Sequence, residues 1–271
     1  MTDPRKLTGA IVRAPGRSLV AGLTTASLGT PEYARALRQH AAYCEALEAC
    51  GLTLTRLAPD ERFPDSTFIE DTAVLVRSFA EGRDSAAVTA ILARPGAPTR
   101  AGEVELSTRA VSQFCTQVFS LESPRTLDGG DICEANDHFF IGISERTNEA
   151  GAQQLAALLA SAGYTSAFID IRGEQSILHL KSGLAYLGDK RLLVVDALAK
   201  REEFRNYDLF RVHVGDEYAA NCVLINDYVL VVAGHPAIEE TLQSLGYKTI
   251  VLDVSEFQKM DGGLSCLSLR I

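Results

Sequence analysis

The stretch NEAGAQQLAALLASAGYTSAFIDI, residues 148–171, carries a helical pattern that stops at Gly163 and passes at once into a β-rich run. Glycine suits that stop, because a helix commonly ends on a residue in the left-handed region, where a Cβ is costly. The same ending recurs. TPEYARALRQHAAYCEALEACG (30–51) reads as a helix with Thr30 as its cap and Pro31 in its first turn. Its expected face is Tyr33, Leu37, His40/Ala41, Cys44 and Leu47, and Gly51 closes it. PAIEETLQSLG (236–246) ends on Gly246. The strand-like runs LTLTRL (52–57) and YKTIVLDV (247–254) follow these two stops.

Beyond each strand lies a polar loop and then a β-rich run or pair: TAVLVRS (72–78), ICEANDHFFIGI (132–143), LAYLGDKRLLVV (184–195) and CVLINDYVLVV (222–232). Asn-Asp or Gly-Asp marks the turn in the last three. Asp65 falls 14 residues after Gly51, His179 falls 16 after Gly163, and Asp261 falls 15 after Gly246. TLDGGD (126–131) and DEYAANC (216–222) fit two further modules. The spacing predicts a closed ring of about five strand–strand–helix–strand units. Equivalent loops at one end of its axis would gather Asp65, Asp128, His179 and Cys266. An open α/β sheet with scattered polar loops is the alternative. No Gly/Ser/Pro-rich linker divides the chain, so residues 1–271 are expected to form one domain.

With 46% apolar residues, 271 residues can bury a sizeable core. The net charge of −9 argues against nucleic acid, which needs a basic face. No apolar run reaches the length of a membrane span, and the N-terminal stretch lacks a signal-peptide core. The six cysteines (44, 50, 115, 133, 222 and 266) show no C-x-x-C pair, which predicts reduced thiols, no zinc site and a cytoplasmic setting.

Cys266 and His179 are candidates for a thiol nucleophile and its proton shuttle, since the thiolate is the reactive form. Taken alone, each is more often a structural residue. Asp128 could orient an imidazolium, or simply make a turn in Asp-Gly-Gly-Asp. Asp65, Glu70 and Asp71 in FPDSTFIEDT could bind an elongated cation at two points, or form a solvated acidic loop. Arg100 and Arg146 could clamp a carboxylate. His40, His138, His213 and His235 share no metal-ligand spacing, and no metal site is expected. Common dinucleotide, phosphate-loop and serine-hydrolase motifs are absent. In MDGGLSCLSLRI (260–271), Cys266 sits in what reads as the last strand. Gly262 and Gly263 would let a ligand lie close to the thiol.

Seven stretches in order resemble one family: FPDSTFIEDTAVLV (63–76), ARPGAPTR (93–100), LDGGD (127–131), FFIGISERTNEAGA (139–152), LHLKSGLAYL (178–187), YAANCVLIN (218–226) and MDGGLSCLSLRI. They resemble dimethylarginine dimethylaminohydrolases, especially the bacterial ones, from about residue 10 onward. The resemblance implies a five-bladed α/β-propeller of ββαβ modules. It also implies hydrolysis of Nω-methylated arginine to citrulline through a covalent cysteine intermediate, with no cofactor. Carried over, the nucleophile falls on Cys266, the general acid/base on His179 and its supporting carboxylate on Asp128, where some bacterial members have Glu. Asp71, with Glu70 beside it, falls on the guanidinium contact, and Asp65 on the α-ammonium contact. Arg100 and Arg146 fall on the carboxylate contacts, and Leu23 and Met260 on positions whose backbone holds the amino-acid head. Leu23 lies in a stretch that resembles the family's mobile lid. Arginine deiminase or amidinotransferase chemistry on the same fold is the rival reading. A catalytically silent methylarginine-binding regulator is the rival from another class. The expected partner is a small cationic substrate, with no nucleic acid and no membrane, and a homodimer is left open.

Overall fold

In the computed structural model, residues 6–78, 87–174 and 176–271 are described. In chain order the elements are β1 (Gly9–Arg13), α1 (Tyr33–Ala49), β2 (Thr53–Leu57), β3 (Ala73–Ser78), β4 (Ala87–Leu92), α2 (Glu103–Val111) and β5 (Gln117–Ser120). Then come β6 (Ile132–Ala135), β7 (His138–Ile143), α3 (Glu149–Ser161), β8 (Thr165–Asp170), β9 (Leu184–Tyr186), β10 (Arg191–Val195) and β11 (Asp208–Val212). The chain ends with β12 (Val223–Ile225), β13 (Tyr228–Val232), α4 (Pro236–Ser244), β14 (Lys248–Leu252), α5 (Ser255–Gln258) and β15 (Ser268–Arg270).

The strands form five three-stranded sheets: β15-β1-β2, β3-β4-β5, β6-β7-β8, β9-β10-β11 and β12-β13-β14. In each, the middle strand pairs antiparallel with the first and parallel with the third. The first blade is completed by the end of the chain, with Ile11 opposite Leu269 on one side and opposite Thr55 on the other. The middle strands read as continuous apolar runs, as strands covered on both faces do. Leu192, Leu193 and Val194 of β10, and Val229, Leu230 and Val231 of β13, have no exposed surface. Four apolar clusters lie between neighbouring blades, one joining β7, β10 and β13 through Phe140, Leu193 and Val229.

The expected module stops are where the sequence puts them. Gly51, Gly163 and Gly246 all have φ near +90°, which a side chain rarely tolerates. Asn136, Asp189 and Asn226 turn the hairpins of blades three, four and five with positive φ.

Three local expectations are corrected. Helix α1 starts at Tyr33 with Glu32, not Thr30, at its cap position, where the Glu32 N–H donates to Glu256 Oε2 at 2.7 Å. The fourth blade has a one-turn 3₁₀ segment, Glu202–Phe204, in the short connection between β10 and β11 where an α-helix was expected. Cys266 lies not in the last strand but in the one-turn segment Ser265–Leu267 just before it.

That last segment has a counterpart ahead of the first strand of every blade: Ile69–Thr72, Gly129–Asp131, Leu180–Ser182 and Glu217–Ala220. Neighbouring turns touch around the axis. Asn221, just past the fifth-blade turn, bonds to Ser265 and completes the circle. This ring of short turns is where the candidate residues meet. Among the described residues, no helix is long and apolar enough to cross a membrane.

Candidate active site

Glu70 and Asp71 sit together in the turn Ile69–Thr72, both buried. Asp71 Oδ2 accepts from Arg100 NH1 at 2.6 Å, and Oδ1 accepts from the Gly130 N–H at 2.8 Å. Burial opposes its charge, but His179 and Arg100 outweigh burial and hold its carboxyl down to about 2. Glu70 uses one oxygen for two cations: Oε1 lies 2.6 Å from Lys181 Nζ in an ion pair and accepts from Arg270 NH2 at 2.5 Å. Its Oε2 is buried without a hydrogen-bond partner among the described residues. An orphaned carboxylate oxygen costs on the order of 1–3 kcal/mol or more, so it is a ready acceptor for a cationic ligand.

His179 enters from the loop before β9, at the cap position of Leu180–Ser182. Its Nε2 lies 3.0 Å from Asp128 Oδ2. Asp128 is fully buried, and its other oxygen accepts the Gly96 N–H at 2.9 Å. Burial alone would lower the imidazole's pKa. Asp71, the bond to Asp128 and nearby Asp131 reverse this and raise it to about 9. The ring is therefore an imidazolium at neutral pH. Asp71, Asp128 and His179 are close enough for one metal ion, but Arg100 and His179 already direct positive charge into that cluster.

The Cys266 thiol is half-buried, and its hydrogen-bond partners among the described residues are the Gly263 N–H at 3.4 Å and the Ser265 hydroxyl at 3.9 Å. His179 is not among them. Burial, then Glu70 and Asp71, push the thiol up to about 12. The free protein thus holds a neutral thiol and a charged imidazole rather than a preformed ion pair.

Asp65 is buried, and its carboxylate accepts the Leu23 N–H at 3.1 and 3.2 Å. Burial raises its pKa against the opposing pull of Arg100 and Arg146. Leu23 follows a one-turn segment, Arg17–Ala21, in the stretch expected to be a lid. The stretch is tied down by Glu61, which accepts the Arg17 and Ser18 N–H groups, and by Asp261, which accepts the Thr25 N–H at 2.5 Å. Met260 is buried under this stretch, its Cε 3.1 Å from where a Cβ on Gly22 would stand. Arg146 is half-buried, lies near Asp65 and forms no ion pair among the described residues.

Arg100 is placed differently from a simple clamp. It is buried, NH1 binds Asp71, Nε and NH2 bind Glu103 Oε2, and NH2 also reaches the carbonyls of Asp65 and Phe68. It braces the whole acidic loop from behind. Gly262 and Gly263 also differ from expectation. A Cβ on Gly262 would stand 2.1 Å from the Phe68 ring, and one on Gly263 2.4 Å from Asn221 Oδ1. The protein itself fills the space that the sequence suggested for a ligand.

Several residues at the site carried no recognisable signal. Lys181 and Arg270 look like ordinary surface charges in their short strands and turns, yet both converge on Glu70. Asp131, the second aspartate of the DGGD stretch, accepts from Ser144 Oγ at 2.7 Å and from the Leu180 N–H at 3.0 Å, fixing the loop that carries His179. Two cavities flank the Cys266 turn. One of about 800 Å³ is lined by Glu70, Lys181, Ser265 and Arg270, and one of about 520 Å³ by Thr25, Tyr218, Asn221 and Gly263.

A sequence profile described as arginine deiminase matches residues 114–219. The N(G),N(G)-dimethylarginine dimethylaminohydrolase of Pseudomonas aeruginosa is 42% identical over 96% of this chain and 98% of its own. The Streptomyces coelicolor protein of the same name is 33% identical over 97% and 96%. A solved cysteine-to-serine variant of the Pseudomonas protein, complexed with citrulline, matches with a TM-score of 0.90 over 98% of this chain and 100% of that one. The N-terminal domain of a cyanobacterial arginine dihydrolase shares only 18% identity, with a TM-score of 0.83 over 96% of this chain and 97% of that one, and so shares the fold. The five-bladed ring, the seven ordered motifs and identity over nearly the full chain converge: this chain belongs to the dimethylarginine dimethylaminohydrolase family.

Proposed function

We propose that this chain hydrolyses Nω,Nω-dimethyl-L-arginine and Nω-monomethyl-L-arginine to L-citrulline and dimethylamine or methylamine. The observation that carries the reading is the unpartnered Glu70 Oε2 beside Asp71, two carboxylates next to a thiol. A planar guanidinium fits between them by charge-assisted hydrogen bonds. Asp65 takes the α-ammonium, displacing the Leu23 N–H toward the head group, and Arg146 takes the α-carboxylate. Arg100 adds positive charge behind that end while bracing Asp71, and the backbones of Leu23 and Met260 hold the head.

The bound guanidinium reverses the field that keeps Cys266 neutral. Cys266 releases its proton to solvent, the thiolate attacks the central guanidinium carbon, the C–N bond to the methylated nitrogen breaks as His179 donates its proton to the departing amine, and a thiouronium remains on sulfur. His179, now neutral, takes a proton from water, whose oxygen attacks the same carbon. The C–S bond breaks, the hydroxyl proton returns to the sulfur by way of solvent, citrulline leaves, and the neutral thiol is restored. Asp128 holds the imidazole through both proton transfers. The substrate supplies the electrophilic charge and Cys266 the nucleophile, so the reading invokes no cofactor.

All six cysteines are free, which supports a reducing, cytoplasmic setting. The shared ring supports treating the chain as one domain. Incubation with dimethylarginine, monomethylarginine and arginine, followed by citrulline assay, tests the function. Citrulline from the methylated substrates supports it. Citrulline from arginine alone indicates a deiminase, transfer of the amidino group to an added amine indicates an amidinotransferase, and binding without turnover indicates a regulator.

A further inference from the structure

Asn221 is buried, and both ends of its amide are hydrogen-bonded. Oδ1 accepts the Ser265 N–H at 2.9 Å. Nδ2 donates to the Lys181 carbonyl at 2.8 Å and to Ser265 Oγ at 3.0 Å. The backbone N–H of Ser265 can only donate, which fixes which end of the amide is oxygen. One side chain thus ties the turn two residues after His179 to the residue before Cys266. Gly263 is bare because Asn221 Oδ1 occupies the position where its Cβ would stand.

Ser265 is buried as well. With Asn221 donating to its oxygen, the hydroxyl hydrogen is left to find an acceptor, and Cys266 Sγ lies 3.9 Å away. That is long for a neutral thiol. A thiolate is a stronger acceptor, and such contacts tighten once the reacting charge forms. The charged or titratable groups that act on the sulfur are Glu70, Asp71 and Lys181, with Tyr218 beside it. The Gly263 N–H is the other donor.

We propose that Asn221 and Ser265 are positioning residues for the nucleophile: the Asn221 amide fixes the Ser265 hydroxyl so that its proton points at the sulfur of Cys266. The idea rests on Cys266 being the nucleophile. The pair stabilises the thiolate and sets the spacing of the Cys266 and His179 turns.

The test measures iodoacetamide alkylation of Cys266 at pH 8, located by peptide mass spectrometry, beside steady-state kinetics on dimethylarginine. Ser265→Ala and Asn221→Ala should each slow alkylation about tenfold, the low end for losing a hydrogen bond to a charged group. Both should lower kcat about as much with KM changed less than about threefold. The double variant should be no slower than the worse single one, because both remove the same proton donation. Ser265→Thr, which keeps the hydroxyl, should restore alkylation. An Ser265→Ala protein with native circular dichroism and wild-type alkylation overturns the proposal, as does additive loss in the double variant. If Asn221→Ala does not fold, the Ser265→Ala and Ser265→Thr pair decides alone. Failure of the functional reading is separate: normal alkylation behaviour without turnover of methylated arginines would contradict the substrate, not the positioning.

Discussion

Cys266 faces two carboxylates and no bonded imidazole, so its chemistry depends on what binds. Cys266→Ser should abolish turnover while leaving dimethylarginine binding within a few-fold, because a hydroxyl without a strong base is a poor nucleophile. Isothermal titration beside a citrulline assay checks both halves. With the thiol pushed up to about 12 and His179 raised to about 9, the free protein at pH 7 should show no thiolate absorbance in the ultraviolet. A non-reactive guanidinium analogue should bring the absorbance step down toward neutrality, with Cys266→Ser as the blank. A step near pH 7 without the analogue would contradict this. The sign for His179 follows from its raised value. Its proton is present below about 9 and lost above it, so amine departure should weaken as pH rises through that value. His179→Gly should cost about 10²-fold or more in rate, and less on a substrate with a better leaving group.

The short turns and the last strand decide what each motif does. The glycine stops and Asn-Asp or Gly-Asp turns were legible because they are local: positive φ selects glycine and asparagine wherever the residues pack. The face of α1 is right at His40, Cys44 and Leu47, which are buried, but Ala36 and Tyr43 are fully buried too while Leu37 is on the surface. Helical spacing names stripes, and only the neighbouring blade chooses among them. Gly262 and Gly263 were misread for the same reason, because the Phe68 and Asn221 side chains that abut them come from distant sequence. This gives a clean contrast. Gly262→Ala should lower the melting temperature through its clash with Phe68, with about 1–3 kcal/mol lost to overpacking. A raised KM with unchanged melting would instead favour the ligand-contact reading.

At the scale of the molecule, the ring closes by pairing the last strand with the first, and Cys266, the proposed nucleophile, sits just before that closure. The sequence showed the module, and of the candidate site it named Asp65, Glu70, Asp71, Asp128, His179 and Cys266, which the fold places at or near the repeated turns. It could not show Lys181, Arg270, Asn221 or Ser265, whose roles exist only once five turns meet on one axis. Closure should matter to stability. Leu269 is buried opposite Ile11, and Leu269→Ala should cost about 2–5 kcal/mol in urea unfolding. A loss below 1 kcal/mol would mean that β15 contributes little to the ring. On the proposed mechanism, Cys266 forms a covalent bond to the guanidinium carbon of a methylated arginine. Rapid acid quench during turnover of dimethylarginine, followed by peptide mass spectrometry, should find the thiouronium adduct on the peptide that holds Cys266. An adduct on the peptide holding Cys133 or Cys222, or citrulline formation with no adduct in a burst-phase quench, would contradict it.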